Sequence, residues 1–62
     1  MLTPQQITIV RLIAFGRTDK EIRDGMGLTV AQLKAEMADI RAKLGVATRD
    51  AIAVWAIVHG IV

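Results

Sequence analysis

The chain has 62 residues, of which 53% are hydrophobic, and its eight Lys and Arg against six Asp and Glu give a net charge of +2. So short a chain makes one domain, predicted here as residues 1–62, and buries only about 60% of the surface that its unfolded form exposes, which leaves little room for a catalytic cleft. The lack of cysteine excludes disulfides, thiolate zinc sites and cysteine nucleophiles. With His59 as the single histidine, we expect no enzyme, no metal and no cofactor.

Location is inferred from the apolar segments. The apolar run at residues 51–58 is far shorter than the ~20 residues that cross a bilayer. The start of the chain lacks the basic end and apolar stretch of a signal peptide. We therefore expect a cytoplasmic protein with no membrane partner.

Helix signals recur four times along the chain and predict an all-α, compact four-helix bundle. Each helix begins at a threonine that can cap it and ends near a glycine that can adopt a left-handed conformation. After the first three threonines a Gln or Glu follows at the third position, which is the signature of a capping box. The threonines are Thr3, Thr18, Thr29 and Thr48, and the glycines are Gly16, Gly27, Gly45 and Gly60. The predicted helices span residues 4–15, 19–26, 30–44 and 49–59.

Apolar spacing predicts which helix faces turn inward. In the third helix the inward residues are spaced by four, three and four positions, which makes one narrow stripe. This stripe is Leu33, Met37, Ile40 and Leu44. The other expected core residues are Ile9, Val10, Ile13, Ile22 and Met26, with Ile52, Ala53, Ala56 and Ile57 from the fourth helix.

The second and third helices have the lengths and the glycine-containing connection of a helix-turn-helix. Tight connections are also what any small helical bundle needs. The spacing by itself therefore leaves two alternatives, a DNA-binding domain and a generic interaction bundle.

Several short motifs along the chain share their spacing with one family. They are Leu2-Thr3-Pro4, Lys20-Glu21-Ile22, Met26-Gly27-Leu28, Leu33-Lys34 and Lys43-Leu44-Gly45-Val46. With these motifs the chain resembles, over nearly its whole length and without insertions, the helix-turn-helix DNA-binding domain of LuxR/FixJ-type (GerE-like) transcription regulators. The resemblance implies a third helix that enters the major groove of double-stranded DNA and a fourth helix that pairs two domains on a two-fold operator.

The expected DNA-binding residues come from two sources. Matched by position, the resemblance implies that Lys20 and Lys43 lie near phosphates, that Thr29 caps the recognition helix and that Lys34 faces the groove. Helix geometry adds that Lys34 and Arg41 flank the outward face on one side and Gln32 on the other, where side chains read base edges. The expected function is a small DNA-binding transcriptional regulator, or the effector domain of one.

The recognition helix departs from the family pattern. At about 100° per residue, the face opposite the core stripe holds only alanines, namely Ala31, Ala35, Ala38 and Ala42. Glu36 and Asp39 stand where such domains usually have His and Asn, and phosphates repel carboxylates. We therefore expect weakened or atypical recognition of DNA. The alternatives are a merely solvated alanine face, or a protein-interaction module that has lost DNA binding and uses this face or helix four.

Residues 51–58 of the fourth helix are apolar around its whole circumference, which indicates full burial or an interface. The residues expected at an outward dimer contact are Ala51, Val54, Trp55 and Val58. Trp55 would anchor this homodimer, and the alternative is a half-buried core residue. His59 is expected to interact with carbonyl groups at the end of the helix.

Overall fold

A computed structural model describes residues 1–61, and these fold into four α-helices without a strand. The helices are α1 (Pro4–Ala14), α2 (Asp19–Met26), α3 (Val30–Leu44) and α4 (Arg49–Val58). The radius of gyration is 10.4 Å, close to the value of about 10.6 Å for a compact chain of this length. The predicted all-α, compact four-helix arrangement is confirmed, with helix ends that differ by at most one residue. Within the described part of the chain, no helix is long and apolar enough to cross a membrane.

Threonine caps fix where the helices begin. The Thr29 hydroxyl accepts the N–H of Gln32 at 3.1 Å, and the Gln32 Oε1 accepts the N–H of Thr29 at 2.8 Å. The same reciprocal pair begins α1 and α2, and a single threonine bond begins α4. Gly27 has φ +67°, the left-handed conformation that glycine adopts at low cost, and it ends α2. The tight turn that joins α2 to α3 is therefore encoded by a few local residues.

The core lies where one stripe from each helix meets the others. α1 packs along α4, while α3 contacts both α2 and α4. The buried hydrophobic residues are Ile9, Val10, Ile13, Ile22, Leu33, Met37, Ile40, Ile52 and Ala56. Met26, Leu44 and Ala53 are only half-buried and pack against this core. Nearly every residue that the apolar spacing assigned to the core is thus in it or against it.

Ile57 is the exception, because its side chain is 63% exposed and the expectation that it faces the core is wrong. The buried stripe of α4 runs through Ile52 and Ala56. At about 100° per residue, Ile57 lies about 140° around the helix from Ile52, whereas Trp55 lies only about 60° away on the other side. Trp55 therefore packs against the core and Ile57 turns to solvent.

Two arginines join distant parts of the chain. The guanidinium of Arg49, at the start of α4, donates to the Asp19 carboxylate and to the carbonyl oxygen of Arg17. Arg11 Nε on α1 donates to the carbonyl oxygen of Ile61 at 3.0 Å. The first tie holds the beginning of α4 against the beginning of α2, and so positions α2 and α3 together relative to the rest of the fold.

Candidate nucleic-acid interface

The outward face of α3 is a smooth strip of methyl groups. Ala31, Ala35, Ala38 and Ala42 are all exposed, as the helix geometry predicts. Methyl groups can contact the C5-methyl of thymine, but they donate no hydrogen bond to a base. Any polar contact with a partner must therefore come from the two edges of this strip.

The edge of α3 that faces α2 is basic. Lys34 and Arg41 lie on it and line a groove of about 520 Å³ together with Arg23 of α2 and Arg49 of α4. The remaining lining residues are Asp19, Val30, Leu33 and Met37. The structure thus brings two of the sequence-predicted DNA-binding residues into one place, and it adds Arg23.

Most of the charge in this groove is uncompensated. The one carboxylate, that of Asp19, is already paired with Arg49. For Arg23, Lys34 and Arg41, no carboxylate of residues 1–61 lies within 4.0 Å of the charged group. With four basic side chains and one acidic side chain, the lining carries a net charge of +3.

The opposite edge of α3 is tied to α1 by a polar network. Gln6 is 1% exposed, and its Nε2 donates to Asp39 Oδ2 at 2.6 Å while its Oε1 accepts from Lys43 Nζ at 3.0 Å. Lys43 Nζ also lies 3.1 Å from Asp39 Oδ2. The hydrogen bond from Gln6, followed by that from Lys43, holds the pKa of Asp39 below its ordinary value of 3.8. The ammonium of Lys43 is therefore partly neutralised within the fold.

The sequence predicts the role of Gln6 at the start of α1 but not its contacts with α3. Its expected capping bond is present, with the N–H of Thr3 donating to Oε1 at 3.0 Å. Gln6 also precedes Ile9, Val10 and Ile13 at the spacing of the buried face of α1, so the periodicity alone would have indicated a buried polar side chain. Its partners on α3 could not be read from that pattern.

The remaining expected contacts are separated from the basic groove. Gln32 is exposed and uses its Oε1 in the capping box, which leaves the side-chain NH₂ to donate elsewhere. Glu36 is half-buried and shares a shallow groove of about 270 Å³ with Gln32. Lys20 is exposed in the first turn of α2, and Thr29 is exposed at the start of α3. None of these four residues lines the basic groove.

A separate apolar surface covers the outer side of α4. The four residues expected at a dimer contact line one groove of about 440 Å³ together with Val46 and His59. Val54 and Val58 are 60% and 73% exposed. Trp55 is half-buried against the core, in agreement with the alternative interpretation, and its ring stacks on His59 with centroids 4.2 Å apart. His59 Nδ1 lies 2.9 Å from the carbonyl oxygen of Trp55, so the expected contact with the helix end is confirmed.

Comparison with known proteins identifies the family. The GerE profile, which describes bacterial regulatory proteins of the luxR family, matches residues 1–56. The chain belongs to the luxR family. The resemblance drawn from the short motifs is thereby confirmed, and the match includes α1, α2, α3 and most of α4.

Two regulators illustrate the relationship of this luxR-family chain to longer proteins. It is 38% identical over 61 residues to the transcriptional regulatory protein MctR of Rhizobium johnstonii, a match that covers 98% of the chain and 28% of MctR. It is 38% identical over 55 residues to the transcriptional regulatory protein LiaR of Bacillus subtilis, a match that covers 89% of the chain and 26% of LiaR. The chain therefore spans about a quarter of the length of these relatives. No solved structure matches it significantly.

Proposed function

We propose that this luxR-family chain binds double-stranded DNA as the DNA-binding part of a transcription regulator, with α3 in the major groove. The observation that carries the proposal is the outward face of α3, where exposed alanines adjoin the unpaired cations Lys34 and Arg41. The major groove of B-DNA is about 12 Å wide and admits an α-helix. Small side chains let the helix backbone approach the bases closely, and the cations meet the negative charge of the duplex.

The proposed contacts differ in strength. Lys20 and the hydroxyl of Thr29 contact phosphates at the starts of α2 and α3. The side-chain NH₂ of Gln32 donates a hydrogen bond to the DNA. Gln32 would have to give up its capping bond to bind adenine through both its oxygen and its nitrogen. Lys43 contributes less than an unpaired lysine because Asp39 offsets its charge. Recognition is therefore weakened and depends more on phosphates and groove shape than on base edges.

Fluorescence anisotropy of a labelled random duplex tests the proposal. We expect binding at about 50 mM salt that weakens steeply as salt rises, because phosphate contacts release counterions. Lys34→Ala should lower the affinity at every salt concentration. Arg17→Ala is the matched control, since it removes one charge from a side chain that is 57% exposed and paired with Glu21. A wild-type chain that does not retain duplex DNA at about 50 mM salt refutes the proposal.

We further propose that the α4 surface made of Ala51, Val54, Trp55 and Val58 forms a homodimer contact. Exposed valines on one side of a short helix support it. A standard interface buries about 800 Å² on each partner, whereas α4 has ten residues and is only about 15 Å long. The free chain should therefore associate weakly, and two half-sites on one duplex should stabilise the pair.

Analytical ultracentrifugation at high micromolar concentration, with and without duplex DNA, tests this contact. Val54→Asp should abolish association while the helices remain folded. Ile57→Asp is the control, because Ile57 has a similar exposure on the same helix but does not line the groove. Trp55→Ala is a poorer probe, since Trp55 also packs against the core. A chain that stays monomeric at all concentrations and on DNA removes the dimer from the proposal.

The second candidate function is a protein-interaction module that has kept the fold and lost DNA binding. Glu36 beside the alanine strip favours it, because a duplex would repel the charge of its carboxylate. Glu36→Lys separates the two functions. If the wild-type chain does not bind DNA, and the variant gains DNA binding while it loses a protein partner, the original role of this surface is not DNA recognition.

A further inference from the structure

The two edges of α3 carry opposite electrostatic character. On the α2 side the groove lining has a net charge of +3, and its unpaired cations are Arg23, Lys34 and Arg41. On the α1 side, Glu36 lines a groove without a basic side chain, and Lys43 is engaged by Asp39 and Gln6. A polyanion that lies across α3 is therefore attracted more strongly to the edge that faces α2.

The spacing along the basic edge suits a chain of charges rather than one ion. Lys34 and Arg41 are seven positions apart, which is about 10.5 Å along the helix axis and about 20° around it. Phosphates of one DNA strand follow each other at about 3.4 Å along the duplex axis. The two side chains therefore reach more than one phosphate of a single strand, and Arg23 faces them from α2.

The surroundings of the two arginines strengthen such contacts. Arg23 and Arg41 are half-buried, and Val30, Leu33 and Met37 supply apolar lining to the same groove. A charge pair in a partly water-excluded site is screened less than one in open solvent. The planar guanidinium can also donate two parallel hydrogen bonds to a phosphate. Among residues 1–61, no side-chain hydrogen bond engages either guanidinium.

On the basis of the proposed function, we propose that the groove between α2 and α3 is a binding site for the phosphodiester backbone of one DNA strand, held by Arg23, Lys34 and Arg41. Arg23 becomes a DNA-contacting residue, and Arg41 contacts phosphate rather than a base edge. The stronger backbone contact is made on the α2 side of α3, and the α1 side makes the weaker contact with the second strand.

Salt dependence of duplex binding tests the site. Each phosphate contact contributes about −0.9 to the slope of log affinity against log salt, so Arg23→Gln and Arg41→Gln should each make the slope shallower by about 1. Between 50 and 200 mM salt, each variant should then lose affinity about 3.5-fold less than the wild type does. The effect should be the same on unrelated duplex sequences, because phosphates carry no sequence information.

The controls separate the site from charge loss and from misfolding. Arg17→Gln removes a charge outside the groove and should leave the slope unchanged. Arg23→Lys and Arg41→Lys keep the positive charge and should keep the wild-type slope. A shallower slope in the glutamine variants alone is then due to the loss of a phosphate contact. Circular dichroism checks that each variant is helical.

Neutral methylphosphonate links, placed one at a time in the duplex, give a test that needs no unfolding control. At the strand position held by the groove, the neutral link should weaken wild-type binding and have no further effect on Arg23→Gln. If the wild type binds duplex DNA while both glutamine variants keep its slope, the site is refuted and the proposed function stands. If the wild type does not bind duplex DNA at all, both are refuted.

Discussion

Replacement of Gln6 by alanine is the sharpest test of how α1 supports α3. The side chain is 1% exposed, and it makes one bond to Thr3, one to Asp39 and one to Lys43. A neutral hydrogen bond contributes about 0.5–1.5 kcal/mol net and one to a charged group about 1.5–3 kcal/mol, but solvent screening reduces the share of the partly exposed Asp39 and Lys43. We expect Gln6→Ala to lower the free energy of unfolding by about 2 kcal/mol, a large share of the roughly 3–9 kcal/mol available to a chain of this size.

Urea denaturation followed by circular dichroism measures this loss. With a slope of about 1 kcal/mol per molar urea for a very small domain, the midpoint should fall by about 2 M. Gln5→Ala is the control, because Gln5 is the exposed neighbour on the same helix and should leave the midpoint nearly unchanged. Carbon NMR titration adds a second readout, since the pKa of Asp39 should rise toward 3.8 when the Gln6 bond is lost. Equal midpoints for both variants, or an unchanged Asp39 titration, refute the role of Gln6.

The remaining predictions concern pH, backbone conformation and the α4 tie. Hydrogen bonds hold the pKa of Asp39 below 3.8 and that of Glu21 below 4.5 in the folded state. The two carboxylates therefore stabilise the fold fully above these values, and this contribution is lost as pH falls through the lowered pKa. The urea midpoint should be constant from pH 7 to about 5 and should decrease below about pH 4. Gly25→Ala should raise stability by about 0.5 kcal/mol, since no heavy atom lies within 4 Å of the added methyl, whereas Gly27→Ala should lower it by about 1 kcal/mol at φ +67°. Arg49→Met removes the bonds to Asp19 and to the carbonyl oxygen of Arg17, so amide hydrogen exchange should become faster in the loop before α2 and should not change in α3. The same exchange rate in that loop for the variant and the wild type would contradict the role of these bonds.

The helices could be predicted from sequence because their ends are encoded within a few residues. A threonine followed three positions later by Gln or Glu fixes the start of α1, α2 and α3, and each partner is local in sequence. The core stripes follow from a period of about 3.6 residues. The orientation of Ile57 could not be predicted in this way, because residues 51–58 of α4 are apolar all round. Periodicity cannot orient such a helix, and the packing of Trp55 does.

The candidate site was less predictable because its contacts join distant residues. Gln6 meets Asp39 across 33 positions, and Arg49 meets Asp19 across 30. Helix geometry placed Lys34 and Arg41 on one edge of α3, but it could not show that Arg23 of α2 faces the same groove. For the same reason the resemblance predicts a phosphate contact for Lys43 but does not indicate its bonds to Gln6 and Asp39 within the fold.

The small net charge of the chain hides an uneven distribution of charge. A total of +2 describes a weak attraction for DNA only if the charges are spread evenly, whereas the groove between α2 and α3 alone carries +3. Asp39 explains part of the difference, because its carboxylate lies on the α1 side, where Gln6 and Lys43 hold it within the fold. The acids that the sequence places on the recognition helix therefore do not weaken both edges equally. They offset the positive charge of the edge that faces α1 and leave the edge that faces α2, where Arg23, Lys34 and Arg41 lie, as the more basic side of α3.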